Sequence, residues 1–76
     1  MKAQLTKVEG GSFYEIEFIG KYGDLTINED ADWFRFKFDG KLEGMLLTAQ
    51  IESFEKQKNK MLIRIPHRGL FIFEPI

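Results

Sequence analysis

The stretch from residue 33 to residue 54 constrains the fold more than any other part of the chain. Its first six residues alternate strictly, with phenylalanine at the even positions and Trp33, Arg35 and Lys37 at the odd ones. A period of two predicts a β-strand with the phenylalanines on one face and the other three side chains on the opposite face. An Asp-Gly pair and a second apolar run follow, which indicates a hairpin.

The length of the hairpin loop decides which side chains lie opposite each other. A two-residue loop sets Phe36 against Glu43, so that an aromatic side chain faces a carboxylate. A three-residue loop over residues 38–40 sets Phe36 against Leu42 and Arg35 against Glu43. The second arrangement pairs apolar with apolar and cation with anion, so we expect the three-residue loop.

Residues 41–54 fit either a strand or a helix. Several good helix formers lie there, and a helix over about 45–58 would make the fold α+β. At strand spacing, however, Met45, Leu47, Ala49 and Ile51 form one apolar face. We favour the strand, because periodicity is the stronger signal. The apolar face then changes near residues 44–47, which predicts a bend or bulge.

The N-terminal third predicts two further strands. Residues 2–8 form the first, a double glycine ends it, and residues 12–19 form the second. A loop with an even number of residues after residue 19 sets Phe18 against Leu25 and keeps both side chains on one face. Residues 28–31 are then a polar connection.

The C-terminal third predicts two hairpins with glycine- or asparagine-containing loops. A loop over residues 57–59 pairs Phe54 with Leu62, and a loop over residues 67–69 pairs Ile65 with Phe71. The expected core face consists of Met61, Ile63, Ile65, Phe71 and Phe73. The other face of the last strand is also apolar (Leu70, Ile72), so we expect both sides of that strand to be covered.

These segments together predict one all-β domain over residues 1–76. We expect a small antiparallel meander of six or seven strands that closes into a barrel or an orthogonal sandwich, of the size of SH3-like and OB-like domains. With 76 residues the chain can bury a single core. The α+β arrangement with one helix at about 45–58 is the alternative.

The composition argues against catalysis. The chain has no cysteine and a single histidine, His67, which lies in a turn sequence. No phosphate loop, nucleophile elbow or metal-ligand spacing is present, and the acidic residues 28–32 lack the glycine and distal glutamate of a calcium loop. We therefore expect a protein that is not an enzyme and needs no cofactor or metal. Without a transmembrane run or signal peptide, a cytoplasmic location is expected.

Nucleic-acid binding is one functional hypothesis. Trp33, Arg35 and Lys37 share a strand face, and single-stranded nucleic acid binds small barrels through exposed aromatic and basic side chains. The candidate surface is completed by the basic residues near the last hairpin: Arg64, His67 and Arg68. The net charge of −1 lacks a strongly basic footprint, however. The competing interpretation makes Trp33 a core residue opposite Met45.

Protein binding is the hypothesis that we favour. Short antiparallel strands leave edges on which another chain can pair, and such a module tolerates a net charge near zero. Some apolar residues fall outside the core pattern: Phe13, Ile19, Leu62, Ile72 and Ile76. We expect a non-enzymatic binding or adaptor module that acts on a protein partner or by self-association, and that has no membrane or small-molecule partner. Single-stranded nucleic-acid binding and a purely structural role are the alternatives.

Overall fold

The computed structural model describes residues 1–10, 17–40 and 46–76. They form seven strands: β1 (Lys2–Glu9), β2 (Tyr22–Asn28), β3 (Trp33–Phe38), β4 (Leu46–Gln50), β5 (Ser53–Gln57), β6 (Lys60–Ile65) and β7 (Gly69–Pro75). All pairs are antiparallel, and the strands make one sheet in the order β4-β3-β2-β1-β7-β6-β5. The predicted all-β fold is confirmed. The helix at about 45–58 is wrong, because residues 46–50 and 53–57 are strands.

The sheet curls strongly, so that distant strands touch across its inner face. The Phe36 ring centroid lies 4.9 Å from that of Phe73, and the Phe34 centroid lies 5.9 Å from the same ring. Strands β3 and β7 are three positions apart in the sheet, which would be roughly 14 Å in a flat sheet. The fold is therefore barrel-like, although no strand pairing in the described residues joins β4 to β5 and closes the sheet.

The two outermost strands, β4 and β5, follow each other directly in the chain. The backbone N–H of Ile51 donates to Asp32, next to β3, and that of Glu52 donates to Arg64 on β6 (2.7 and 2.8 Å). One continuous segment thus pairs first with β3 and then with β6. The bend lies at residues 51–52, whereas the sequence predicted it at 44–47. Residues 44 and 45 lie outside the described part of the chain.

The inner face of the curled sheet is the core. The buried cluster consists of Ala3, Leu5, Leu25, Phe34, Phe36, Phe38, Leu47, Met61, Ile63, Ile65, Phe71 and Phe73. On β1 a bulge between Leu5 and Lys7 shifts the register, so that Val8 also packs against this cluster. The core face predicted for the last two strands is confirmed.

The register of β3 with β4 differs from the prediction. Phe36 lies opposite Leu47 and Arg35 lies opposite Thr48, so the tight three-residue hairpin is wrong. The predicted partners Leu42 and Glu43 are outside the described residues. Leu47 is 8% exposed, so the observed register satisfies the same apolar pairing that the prediction sought nearer the loop.

The predicted pairing of Phe18 with Leu25 is also wrong. Residues 17–20 form a turn, and Leu25 lies opposite Phe36 of β3. The Phe18 ring instead lies 4.9 Å from the Phe38 ring and is partly buried against the core. Residues 12–16 of the predicted second strand are outside the described residues. Beyond them, β2 pairs directly with β1.

The β5–β6 hairpin is one residue tighter than predicted. Phe54 lies opposite Ile63, and Gln57 pairs with Lys60 around a two-residue turn. A pairing of Phe54 with Leu62 would have placed the phenylalanine on the outer face of the sheet. In the observed register Phe54 is half-buried and packs against the core.

The β6–β7 hairpin is shifted by two residues. Ile65 lies opposite Gly69, and Arg68 N donates to Ile65 O (3.1 Å) across a turn in which His67 has a φ of 66°. Pro66 cannot donate to a strand ladder, which explains why pairing stops at Ile65. A shift of two residues preserves the face of every side chain, so the predicted core face survives the error. Ile72, on the other face, is 9% exposed.

Candidate functional site

The outer surface of β2, β3 and β4 carries the first half of the predicted site. Because Phe34, Phe36 and Phe38 are buried, the intervening side chains point outward. Arg35 and Lys37 are exposed. Trp33 is half-buried outside the core cluster and lies between Asn28 and Gln50 on the neighbouring strands. The interpretation of Trp33 as a core residue is wrong.

Strand pairing arranges this surface in rows across the sheet. Arg35 lies between Thr26 and Thr48, and Lys37 lies between Asp24 and Leu46. The two rows line an open groove of about 390 Å³: Asp24, Thr26, Arg35, Lys37 and Leu46. We call it the Arg35 groove.

The charge of the Arg35 groove is set by a neighbouring ion-pair cluster. Lys2 Nζ lies 2.9 Å from Asp39 Oδ1 and 3.2 Å from Asp24 Oδ2. The hydrogen bond that Lys2 donates to Asp39, and next the one that it donates to Asp24, raise the pKa of Lys2 above its ordinary value. The positive charge of Lys2 thus neutralises the negative charge of Asp24, the carboxylate that lines the groove. Within the described part of the chain, neither Arg35 nor Lys37 takes part in an ion pair.

A second, shallower depression of about 400 Å³ lies beside Trp33. Asn28, Glu29 and Asp30 contribute to its wall. The Asn28 side chain accepts a hydrogen bond from Ala31 N (3.0 Å), which fixes the loop between β2 and β3. The two carboxylates give this end of the surface a negative charge, opposite to that of Arg35 and Lys37.

The remaining predicted site residues form a separate group at the end of β6. Arg64 is exposed and lies opposite Ser53 and Leu70, while His67 and Arg68 lie in the turn that follows. The bend at residues 51–52 links the two regions, because its two N–H groups donate to the carbonyl oxygens of Asp32 and Arg64. The six predicted residues therefore do not form one basic groove.

The backbone of β4 has an open side. Because Ile51 N donates to Asp32 O, the antiparallel pattern makes Ala49 and Leu47 the residues whose N–H and C=O groups bond to β3. The corresponding groups of Leu46, Thr48 and Gln50 then point away from β3. Among the described strands, none pairs with β4 on that side.

The sequence-predicted site did not include Thr26, Thr48 or Leu46. The alternation of residues 45–51 placed Leu46 and Thr48 on the outer face, and both are exposed. Their position beside Lys37 and Arg35 depends on the β3–β4 register, which the prediction placed too near the loop. Of the apolar residues outside the core pattern, Ile19 and Ile76 are exposed, Leu62 is half-buried and Phe13 is not described.

Neither a metal centre nor a membrane-spanning helix is found in residues 1–10, 17–40 and 46–76. These residues contain no group of three or more histidine, cysteine or acidic side chains placed to hold a metal ion. No helix among them is long and apolar enough to cross a membrane.

No family model matches the chain, and neither a curated protein nor a solved structure matches it.

Proposed function

We propose that this chain is a non-enzymatic protein-binding module that takes up an extended segment of its partner along the open side of β4. The observation that carries the proposal is that β4 pairs with β3 alone among the described strands, leaving the backbone groups of alternate residues directed outward. An extended peptide can add to such an edge through main-chain hydrogen bonds, while its side chains contact the surface alongside.

The composition of the two outermost strands favours β4 over β5. Proteins protect exposed strand edges with charged side chains or proline. Strand β5 carries Glu55 and Lys56, whereas β4 contains neither a charged residue nor proline. Leu46 is 54% exposed at the start of β4. An edge without charge or proline lacks the features that block strand addition, and the exposed leucine offers an apolar contact beside it.

We expect Thr48→Pro to weaken peptide binding strongly without unfolding the domain. Proline removes the N–H that points to the open side, and it leaves the ladder with β3 intact. A linear peptide is first selected from a displayed library of random nonapeptides against the unaltered chain. Its affinity is then measured by NMR titration, and we expect the variant to bind at least about tenfold more weakly, since it loses a main-chain hydrogen bond and the register of the added strand.

Thr48→Ala is the matched control, because it keeps the N–H and should leave the affinity within about twofold. Equal binding by Thr48→Pro, amide shifts confined to β5, or failure of the library to yield any peptide would contradict the proposal. Sedimentation over a concentration range identifies a second copy of the chain as the partner if a dimer forms and Thr48→Pro dissociates it. A cytoplasmic location belongs to the same proposal, since no cysteine requires an oxidising compartment.

Single-stranded nucleic-acid binding is the second candidate, favoured by the half-buried Trp33 beside two exposed cations. The carboxylates of Glu29 and Asp30 next to Trp33 oppose phosphate binding. We therefore expect oligothymidylate to leave Trp33 fluorescence nearly unchanged at both low and moderate salt. Quenching that weakens steeply with salt, and that Arg35→Gln reduces, would favour nucleic acid over the protein-binding proposal.

A further inference from the structure

We propose that the partner segment is acidic: a carboxylate side chain opposite Thr48 binds Arg35 across that threonine, and an apolar side chain two positions away packs on Leu46. This inference rests on the proposed strand addition to β4 and names the chemistry of the partner.

The geometry of the rows places such a carboxylate within reach of the guanidinium. Arg35 and Thr48 form a non-hydrogen-bonded pair, for which the Cα separation is about 4.5 Å. A partner residue opposite Thr48 would form a hydrogen-bonded pair with it, at about 5.5 Å. Directly paired residues share a face, so all three side chains lie on the outer surface. Thr48 is small enough for the long side chain of Arg35 to extend over it.

Charge complementarity supports an anionic side chain at this position. Arg35, Lys37 and Asp24 line the groove, and the ion pair of Lys2 with Asp39 lies beside it. The region therefore holds three cations and two carboxylates. Both carboxylates bond to Lys2, which leaves Arg35 and Lys37 without an ion pair in the described residues. A guanidinium can bind a carboxylate through two parallel hydrogen bonds, which gives both strength and orientation.

The spacing follows from the period of the strand. Leu46 lies two residues from Thr48, on the same face, and forms the apolar part of the groove wall. A partner residue opposite Leu46 is therefore two positions from the carboxylate, and an apolar side chain there covers an exposed leucine.

The test uses three blocked nonapeptides of alternating threonine and valine, with leucine at the seventh position, that differ only at the fifth. That position carries glutamate, glutamine or lysine. Dissociation constants are measured by NMR titration of the full chain, which also reports which strand the peptide contacts. We expect the glutamate peptide to bind about threefold to tenfold more tightly than the glutamine peptide, with shifts on β4.

The variant Arg35→Glu reverses the charge at an exposed position. We expect it to bind the lysine peptide more tightly than the glutamate peptide, which a purely structural role of Arg35 would not produce. Arg64→Glu makes the same charge reversal on β6, outside the groove, and should keep the original preference.

The outcomes separate the inference from the proposed function. If the glutamine and glutamate peptides bind β4 equally and Thr48→Pro weakens both strongly, the carboxylate contact is wrong and strand addition stands. If Arg64→Glu changes the preference as much as Arg35→Glu does, the effect is general electrostatics and the inference is also overturned. If no peptide shifts the amides of β4, strand addition itself is overturned.

Discussion

Phe36→Ala is expected to remove about 3–5 kcal/mol from the free energy of unfolding, the usual cost of emptying a phenylalanine site in a core. The Phe36 side chain is fully buried, and its ring centroid lies 5.0 Å from that of Phe38 and 4.9 Å from that of Phe73. Phe36 thus holds β3 against β7 across the curled sheet, together with the contact of Phe34 with the same Phe73 ring. A 76-residue domain has a total stability of roughly 4–11 kcal/mol, so most of the margin would be lost.

Urea denaturation followed by circular dichroism measures this effect. Phe36→Leu should lower the free energy of unfolding by about 1–2 kcal/mol, and it replaces the alanine variant as the test if that variant does not fold. Tyr22→Ala is the matched control, because Tyr22 is an aromatic residue that is 50% exposed, and it should cost less than about 1 kcal/mol. Equal losses for Phe36→Ala and Tyr22→Ala would contradict the packing of β3 on β7.

Gly23→Ala is expected to cost about 3 kcal/mol through overpacking. A Cβ at Gly23 would overlap the carbonyl oxygen of Lys37 and lie 3.0 Å from Cζ of Phe36. The oxygen belongs to the backbone of β3, so a side-chain rotation cannot relieve the overlap. Gly23 lies opposite Ala3 on one neighbour and Phe38 on the other, so strands on both sides would have to move.

Gly40→Ala is the control that isolates backbone strain from steric overlap. Gly40 has a φ of 67°, and a Cβ there would meet nothing within 4 Å. Its substitution should therefore cost only about 1 kcal/mol, the strain of a left-handed residue. Thermal or urea denaturation ranks the two variants. If Gly23→Ala lowers the free energy of unfolding no more than Gly40→Ala does, the close approach of β2 to β3 is absent.

Much of the strand content could be predicted because the alternation of side chains is a local property. The core face of β6 and β7 was assigned from its period alone, and its five residues are buried: Met61, Ile63, Ile65, Phe71 and Phe73. The same alternation put Arg35 and Lys37 on one face of their strand and separated Thr48 from the apolar face of Leu47. Local periodicity does not show which partner lies opposite, and for that reason the candidate site was predicted without Thr48 or Leu46.

Register was the part that local rules did not determine. Turn chemistry suggested loops at glycines, yet Phe36 of β3 lies opposite Leu47 of β4, and the β6–β7 ladder ends at Ile65, before Pro66. The two-residue error at β6–β7 left every face correct, whereas the one-residue error at β5–β6 put Phe54 on the wrong face. Side-chain direction has a period of two, so only odd errors exchange the faces.

The sequence by itself determined the strand class of this protein and the inward or outward direction of most side chains, because both follow from alternation along a single strand. Residues 34–38 are the clearest case: their phenylalanines are buried, and Arg35 and Lys37 between them are exposed. The half-buried position of Trp33 outside the core came only from the structure. Only the tertiary structure decided that residues 51–52 bend one segment from β3 to β6, that Phe36 meets Phe73, and that Arg35 lies beside Thr48 at an open strand edge. These features depend on how strands distant in sequence pair and curl. The free energy of that pairing comes from contacts across the whole assembled sheet and not from any single strand.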